Sequence, residues 1–315
     1  MFTLIRGGRL YTPMDAGRKD LFIAGEKIGV IADRVDVPSG LNPEIVEAEG
    51  KIVAPGFIDL HVHLIGGGGE GGPATRTPEI QLSRITRAGV TTVLGVLGTD
   101  DVSRHPESLL AKALALEQEG ISAFIMCGSY HFPPATITGS VRRDIALIPH
   151  VVGVGELAIS DHRSSQPTFE DLARVAAEAR VGGMLGGKTG LVQLHMGAGV
   201  RGLEYLFRMV RETEIPIDQF LPTHVTRAVE TFQHAMKFAQ MGGNIDITVS
   251  GKKLSWKMDT GEAFRQLMAS QVPVERITFS SDSNGSMPLF DEKGHLVGLA
   301  VGDIQNLHEE FRRLV

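Results

Sequence analysis

Beyond residue 50, short apolar runs alternate with longer amphipathic stretches along the chain. Eight runs are each short enough for one buried strand, and the stretches between them place apolar residues every three to four positions, as helices do. The runs are KIVAPGFIDLHVH, VTTVLGVLG, ISAFIMCGSY, VVGVGELAIS, GLVQLHMG, FLPTHVTR, GNIDITVS and RITFSSDSNGS. The predicted helices cover residues 105–119, 168–181, 200–213, 229–241 and 260–271. This alternation predicts a parallel β/α architecture.

Eight repeats favour a closed (β/α)8 barrel of the TIM type, with a doubly wound open sheet as the alternative. The placement of polar residues decides between the two. Nearly every predicted strand ends near a residue with a chemically useful side chain: His63, Thr99, Tyr130, Glu156, His195, His224, Ser250 and Asp282. In a barrel these carboxyl ends all meet on one face, where the functional site is built.

Residues 1–50 follow a different pattern. Short segments such as FTLIRGGRLYT, DLFIAGEKIGVIAD and EIVEAEG are separated by Gly and Pro, and they show no helical period. We therefore predict a small N-terminal β domain over 1–50, followed by the barrel over 51–315.

Composition argues against several classes of partner. The formal net charge is −6 and basic residues do not cluster, so we expect no nucleic-acid partner. The one cysteine, Cys127, cannot form an intrachain disulfide and suits a reducing compartment. No apolar run reaches the roughly 18 residues that cross a bilayer, and no signal peptide is evident. We predict a cytoplasmic protein with no membrane partner.

His61 and His63 lie two residues apart at the end of the first run, so their side chains point to the same side of a strand. On its own, this pair could be two polar residues at a strand end. His195, His224 and Asp282 end later runs, however, and buried imidazoles need polar partners. Because imidazole and carboxylate ligands suit Zn²⁺ or a similar divalent ion, the pattern predicts a metal site at the barrel mouth.

The order H-x-H, carboxylate, His, His, Asp on a predicted β/α barrel resembles the amidohydrolase superfamily. Several segments resemble the isoaspartyl dipeptidase family more narrowly, and the match runs along the whole chain. These segments are PGFIDLHVHLIGGGGEGG, GTDDVSRHPESLL, AISDHRSSQP, RVGGMLGGKTG, FLPTHVTR and SSDSNGS. The resemblance implies two divalent metal ions, expected to be Zn²⁺, and a homo-oligomer. It also implies hydrolysis of β-aspartyl dipeptides by a hydroxide that bridges the metals.

One position departs from the family pattern. The bridging ligand on the fourth strand is usually a carboxylated lysine, whereas the matching residue here is Glu156. Lys188 lies in the loop motif GGKTG and is not that residue. Glutamate keeps the negative charge but is shorter, so we expect a bulge near Gly153 and Gly155 to bring Glu156 close enough to bridge two metals. In the alternative, Glu156 is a salt-bridged acid beside a single metal.

The substrate of that family carries a free ammonium group and free carboxylates. Glu70 is expected to bind the ammonium, from a glycine loop whose backbone, at Gly68, can approach the ligand closely. Arg163 and Arg227 match the arginines that bind substrate carboxylate, since guanidinium pairs with carboxylate in a fork. Without the resemblance, Glu70 could be a solvated loop acid and the arginines surface ion pairs. The resemblance adds two further substrate contacts near Thr99 and Ser286.

Two residues are expected to act on the reacting atoms. By resemblance, Tyr130 donates a hydrogen bond to the scissile carbonyl oxygen, and Asp282 moves the proton from the nucleophile to the leaving amine. Two rival functions stay open: a cyclic amidohydrolase of the dihydroorotase or hydantoinase type, and a non-enzymatic assembly module. Family members also continue past the position of Val315 and return strands to the small β domain, so we expect those strands to be missing here.

Overall fold

The computed structural model describes residues 1–38, 40–249, 258–290 and 296–314. The chain groups into two compact units, Met1–Phe57 and Ile58–Val315. The domain boundary predicted after residue 50 stays a prediction. Within the described residues, no helix is long and apolar enough to cross a membrane.

The first unit is a five-stranded sheet. Its strands are β1 Phe2–Tyr11, β2 Asp15–Ala24, β3 Lys27–Ala32, β4 Glu44–Glu47 and β5 Ile52–Val53. The order is β3-β2-β1-β4, and β5 pairs with β1. β1, β2 and β3 pair antiparallel in chain order, and Gly25 lies in the turn between β2 and β3. Leu4, Leu10 and Leu21 of this sheet are buried, and the buried Asp20 accepts hydrogen bonds from backbone N–H groups of Gly7 and Val35.

The second unit is a TIM-like α/β barrel, as predicted. Its eight barrel strands are β6 Phe57–Val62, β7 Val90–Gly95, β8 Ser122–Cys127, β9 Val151–Ile159, β10 Leu191–Met196, β11 Phe220–Thr223, β12 Ile245–Thr248 and β13 Ile277–Ser280. β6 to β11 form one sheet in chain order, and β12 pairs in parallel with β13. A parallel bridge between Val62 and Ser283 links the chain after β13 back to β6.

Helices separate the strands at the predicted places. In the described residues they are α1 Leu82–Arg87, α2 Pro106–Gln118, α3 Val141–Leu147, α4 Phe169–Gly186, α5 Glu204–Glu212, α6 Val229–Gln240, α7 Thr260–Ala269 and α8 Gln305–Leu314. α2 starts with a proline in its first turn, where a missing N–H costs nothing. α4 starts at a capping box between Thr168 and Asp171.

Two helix boundaries differ from the prediction by more than two residues. α4 continues five residues past 181, through Gly182 and Gly183, because these glycines allow close packing: a Cβ on Gly182 would lie 2.9 Å from the carbonyl oxygen of Arg142. α5 begins at Glu204 rather than at residue 200, since residues 200–203 form turns.

The chain after β13 also differs from the prediction. An antiparallel hairpin, β14 Ser286–Phe290 with β15 Leu296–Val301, precedes the C-terminal helix α8. No sequence pattern predicted this hairpin. Of the predicted strand ends, Ser250 lies outside the described residues.

Candidate metal centre

Six side chains predicted as metal ligands come together at the carboxyl ends of the barrel strands. His61 lies in β6, Glu156 lies within β9 and His195 lies in β10. His63 and His224 directly follow β6 and β11, and Asp282 lies two residues beyond β13. All six are buried, none more than 5% exposed. Burying two carboxylates costs free energy unless positive charge lies close enough to compensate for them.

The carboxylate of Glu156 lies between two pairs of histidines. Its Oε1 is 3.3 Å from Nε2 of His61 and 3.6 Å from Nε2 of His63. Its Oε2 is 3.0 Å from Nδ1 of His195 and 3.3 Å from Nε2 of His224. Each pair forms, with Glu156, a group whose ligand atoms all lie within 4.8 Å of one another. The two groups share this one carboxylate.

The predicted bulge is present in β9 at this position. Between its pairings with Val192 and Leu194 of β10, β9 advances from Val154 to Leu157, so it contains one residue more than its neighbour. Gly155 makes this possible, because a Cβ there would lie 2.7 Å from Cβ of Gln193. The extra residue places Glu156 in the barrel interior, where it is fully buried.

Asp282 lies on the side of His61 and His63. Its Oδ1 is 3.0 Å from Nε2 of His63 and 3.7 Å from Nε2 of His61. His224 and Asp282 both have left-handed backbone, with φ of 61° and 49°, a conformation that residues other than glycine adopt at a cost and that is common at functional sites. Thr248 lies 2.6 Å from Nδ1 of His224 and can orient its ring.

These residues fit divalent cations. The buried Nε2 of His61 and Oε1 of Glu156 have no hydrogen-bond partner among the described residues, and such groups are rarely left unsatisfied. Four imidazoles and two carboxylates are the donor set that Zn²⁺ and similar ions accept. The carboxylate of Glu156 belongs to two groups of ligands, one with His61 and His63 and the other with His195 and His224.

The charges on the two sides of Glu156 differ. Burial alone would lower the pKa of His61, but the negative charges of Glu156 and Asp282 raise it to about 9. Burial and the nearby guanidinium of Arg227 lower the pKa of His224 to about 3. Burial opposes ionisation of Asp282, yet the hydrogen bond to His63 lowers its pKa to about 2. The His61 side therefore carries excess negative charge that a cation would balance.

Glu70 lies beside this cluster, in contact with other predicted substrate-binding residues. Its Oε1 accepts a hydrogen bond from Thr99 at 3.0 Å, its Oε2 accepts one from Ser286 at 2.9 Å, and Arg163 Nη1 is 3.4 Å from Oε1. Gly68 has a φ of +70° and forms an isolated antiparallel β-bridge with Arg76. A Cβ on Gly68 would lie 2.4 Å from the carbonyl oxygen of Thr75. Only glycine fits this close fold of the loop.

The two predicted arginines gather around His195. Arg163 Nη2 and Arg227 Nη1 lie 3.0 Å and 2.7 Å from its Nε2, and the hydroxyl of Tyr130 lies 2.7 Å from its Nδ1. Burial, followed by the charge of Glu156, raises the pKa of Tyr130, so its hydroxyl keeps its proton.

Sequence reasoning missed two residues that support this arrangement: Asp161, which binds Arg163 and contacts His195, and Thr248. A signal for Asp161 was present, since an acid two residues before Arg163 can pair with it across a tight turn.

Comparisons with known proteins identify two solved structures that resemble the whole chain. The chain matches no protein-family model. A crystal structure of β-aspartyl dipeptidase from the thermophilic, keratin-degrading Fervidobacterium islandicum AW-1, in complex with β-Asp-Leu dipeptide, is 45% identical with a TM-score of 0.91. The match covers 100% of this chain and 82% of that one. A second β-aspartyl dipeptidase structure from the same organism is 42% identical, with a TM-score of 0.90 over 100% of this chain and 81% of that one.

Curated relatives match over a shorter segment. The dihydroorotase of Listeria monocytogenes serotype 4b is 37% identical over 115 residues, which make up 36% of this chain and 26% of the dihydroorotase. The aligned segment thus spans about a quarter of that relative's length. The match to the solved β-aspartyl dipeptidases, in contrast, extends over the whole chain and includes both units. The chain belongs to the β-aspartyl dipeptidase family of the amidohydrolase superfamily.

Proposed function

We propose that this chain hydrolyses β-aspartyl dipeptides and that it uses two divalent metal ions, expected to be Zn²⁺. The family membership supports the reaction, and the shared carboxylate of Glu156 supports the pair of ions. His61, His63 and Asp282 would hold one ion, His195 and His224 the other, and Glu156 both. Bound there, the ions would activate water and polarise the amide carbonyl.

The observation that carries the choice of substrate is the contact between Glu70 and Arg163. Their charged groups lie 3.4 Å apart beside the ligand cluster. An aspartyl unit linked through its side chain keeps a free α-ammonium and a free α-carboxylate on one carbon atom. Glu70 can bind the ammonium while Arg163 binds the carboxylate, and Arg227 offers a second guanidinium to that carboxylate. An α-linked dipeptide has lost that carboxylate to the peptide bond.

The remaining predicted residues complete the site around the scissile bond. Thr99 and Ser286 hold the carboxylate of Glu70 in place, and Gly68 fixes the loop that carries it. The hydroxyl of Tyr130 can donate its proton toward the carbonyl oxygen as negative charge develops there. Asp282 accepts a proton from the attacking water and delivers it to the nitrogen of the leaving amino acid.

A cyclic amidohydrolase is the less supported alternative. The dihydroorotase match covers 26% of that relative's length, and a cyclic amide has no free ammonium for Glu70 to bind. Dihydroorotate therefore serves as a control substrate that we expect the protein to leave intact. A homo-oligomeric state and a cytoplasmic location remain predictions.

The experiment compares zinc-loaded protein acting on β-Asp-Leu and on α-Asp-Leu. We expect kcat/KM for the α isomer to be lower by roughly 10- to 150-fold or more, the loss of one charge-assisted contact. Protein stripped by a chelator should cleave neither dipeptide. Equal rates on the two isomers, or faster turnover of dihydroorotate than of β-Asp-Leu, would show that the proposed substrate is wrong.

A further inference from the structure

Arg104 is a buried arginine that contacts both ends of the glycine loop, residues 65–77. Its Nε donates a hydrogen bond to the carbonyl oxygen of Ile65 at 3.2 Å, and its Nη2 donates one to the carbonyl oxygen of Thr77 at 3.3 Å. Its Nη1 donates a third to Oδ2 of Asp100 at 2.9 Å, and this ion pair compensates the buried positive charge. Arg104 is 5% exposed, so these contacts are shielded from water.

The two ends of the glycine loop lie close together. A Cβ on Gly66 would lie 2.2 Å from the carbonyl oxygen of Thr77, the same oxygen that Arg104 binds. The backbone N–H of Gly67 donates to the Thr77 hydroxyl at 2.7 Å, and the backbone N–H of Thr77 donates to the Gly67 carbonyl oxygen at 3.0 Å. The loop is therefore closed at its base, and the part that carries Glu70 is held at both ends.

Asp100 connects Arg104 to the chain segment that follows β7. Its Oδ2 also accepts a hydrogen bond from Nη1 of Arg76, which belongs to the glycine loop, at 2.6 Å. Thr99 directly precedes Asp100, and its hydroxyl donates to Glu70 at 3.0 Å. One carboxylate thus joins the loop that carries Glu70 to the segment whose hydroxyl binds Glu70.

The contacts of Arg104 depend on the shape of a guanidinium group. Three nitrogen atoms in one rigid plane reach three separate acceptors. A lysine in this place would keep the positive charge beside Asp100, but its ammonium is a single nitrogen on a flexible stem. One of the loop carbonyl oxygens would then lose its donor, and a buried carbonyl oxygen without a donor is costly. Arg104→Lys should therefore loosen the loop while it keeps the charge.

We propose that Arg104 is a positioning residue for substrate recognition and that it acts through Glu70. By joining both ends of the glycine loop to the segment that carries Thr99, it holds the carboxylate of Glu70 where the substrate ammonium binds. Its contacts described above are with loop backbone and with Asp100, so its effect on the substrate passes through the loop. The role in recognition rests on the proposed function; the closure of the loop does not.

The test compares Arg104→Lys with Arg276→Lys in the zinc-loaded full chain. Arg276 is the matched control, because it is a half-buried arginine whose Nη1 donates to Oδ1 of Asn244 at 3.2 Å. It directly precedes β13, so it lies at the amino end of a barrel strand, away from the site. We expect KM for β-Asp-Leu to rise about 10- to 100-fold in Arg104→Lys, with kcat changing less and zinc content unchanged, because a group that binds the substrate is misplaced. Arg276→Lys should keep wild-type values.

A double-mutant comparison separates positioning from a general loss of structure. Arg104→Lys is also made in the Glu70→Gln variant. If Arg104 acts through Glu70, its substitution should lower kcat/KM less than about threefold in that variant, because the contact it protects is already removed. Equal losses in the two backgrounds would overturn the proposal. So would a wild-type KM in Arg104→Lys alone, or a loss of zinc from that variant.

Hydrogen exchange tests the closure of the loop without a substrate. We expect the backbone N–H groups of residues 65–77 to exchange roughly 3- to 10-fold faster in Arg104→Lys, the net effect of losing one hydrogen bond. Arg276→Lys should leave their exchange unchanged. Unchanged exchange in Arg104→Lys would overturn the proposal. If the wild-type protein does not cleave β-Asp-Leu, the proposed function fails, and the exchange comparison alone decides whether Arg104 holds the loop.

A milder variant, Asp100→Asn, covers the case in which Arg104→Lys does not fold. The side chain of Asp100 is 18% exposed, and the change removes the negative charge that binds Arg104 and Arg76. We expect the same pattern at a smaller size: faster exchange of the loop, and a KM raised about 3- to 10-fold only where Glu70 is intact. Wild-type exchange and KM, or equal losses with and without Glu70, would overturn the proposal.

Discussion

At the residue scale, the unusual feature is one glutamate placed where its two oxygens face two different pairs of histidines. The distances from Oε1 to His61 and from Oε2 to His195 are 3.3 Å and 3.0 Å, so neither pair is favoured. A lysine carbamate and a glutamate carry the same charge, and a carboxylate of either kind can bridge two cations. Glu156 has the shorter side chain, and it lies at the bulge in β9.

The role of Asp282 can be tested by removing its ability to accept a proton. Asp282→Asn keeps the shape of the side chain, and we expect kcat on β-Asp-Leu to fall by a factor on the order of 10² to 10⁴. Zinc content is measured in the same samples, since Asp282 also contacts His63 at 3.0 Å. Activity within a few-fold of wild type, per bound zinc, would rule out Asp282 as the proton carrier.

Glu70 should affect substrate binding and not metal binding. Glu70→Gln removes the negative charge that faces the substrate ammonium, which should cost roughly 1.5–3 kcal/mol in kcat/KM with zinc content unchanged. Glu79→Gln is the control, because Glu79 is 61% exposed and pairs with Lys112 at 3.3 Å. If Glu70→Gln instead loses zinc, and its activity per bound zinc is normal, then Glu70 is a metal ligand or supports one.

The positions of the candidate ligands could be predicted from sequence because they depend on a simple rule. Carboxyl ends of barrel strands converge, so His61, His195 and His224 meet whatever the details of their loops. The contact between Asp161 and His195 could not be predicted by the same rule. That contact depends on a loop conformation and on the close approach of Gly197, and neither leaves a periodic signal in the sequence.

At the element scale, β9 decides whether the site forms. Gly155→Ala would place a Cβ 2.7 Å from Cβ of Gln193 in the neighbouring strand, so the bulge must shift. We expect a loss of about 1–3 kcal/mol in the free energy of unfolding and a lower zinc content, because Glu156 moves with the bulge. Urea denaturation measures the free energy of unfolding, and metal analysis measures the zinc content.

Gly298→Ala is the matched control for that change. Gly298 lies in β15, and among the residues that the structure describes its Cβ would meet only Leu289, at an ordinary 3.8 Å. We expect near-wild-type stability and zinc content. If both alanine variants behave alike, the space around Gly155 does not position Glu156.

Other elements show where sequence patterns stop being informative. Glycine is a poor helix former, yet α4 passes through Gly182 and Gly183, because α3 packs directly against Gly182 and the backbone of Lys188 and Gly190 lies against Gly183. Tertiary packing therefore outweighed helix propensity at this point. The hairpin β14–β15 has strands of five and six residues, similar in length to the barrel strands, but it lies outside the alternation of strands and helices on which the prediction was based.

At the scale of the whole molecule, zinc should stabilise the barrel unit, because its ligands come from strands at both ends of the barrel sequence. Ligand present at 100 times its Kd adds about 2.7 kcal/mol. That gain corresponds to a rise in Tm of roughly 5–10 °C for a domain of this size. Calorimetry of stripped and zinc-loaded protein measures the shift, with Glu156→Gln as a control expected to respond less. An unchanged Tm would argue against a metal site built from these strands.

The most direct test of the account is reconstitution without carbon dioxide. Protein is stripped with a chelator, dialysed into buffer purged of CO₂ and given zinc, with a parallel sample in bicarbonate. A carbamate must be formed from lysine and CO₂, whereas Glu156 is already a carboxylate. We predict two zinc ions per chain and full turnover of β-Asp-Leu in both buffers. Recovery only with bicarbonate, or a single zinc ion in fully active protein, would contradict the assignment of Glu156 as the bridge.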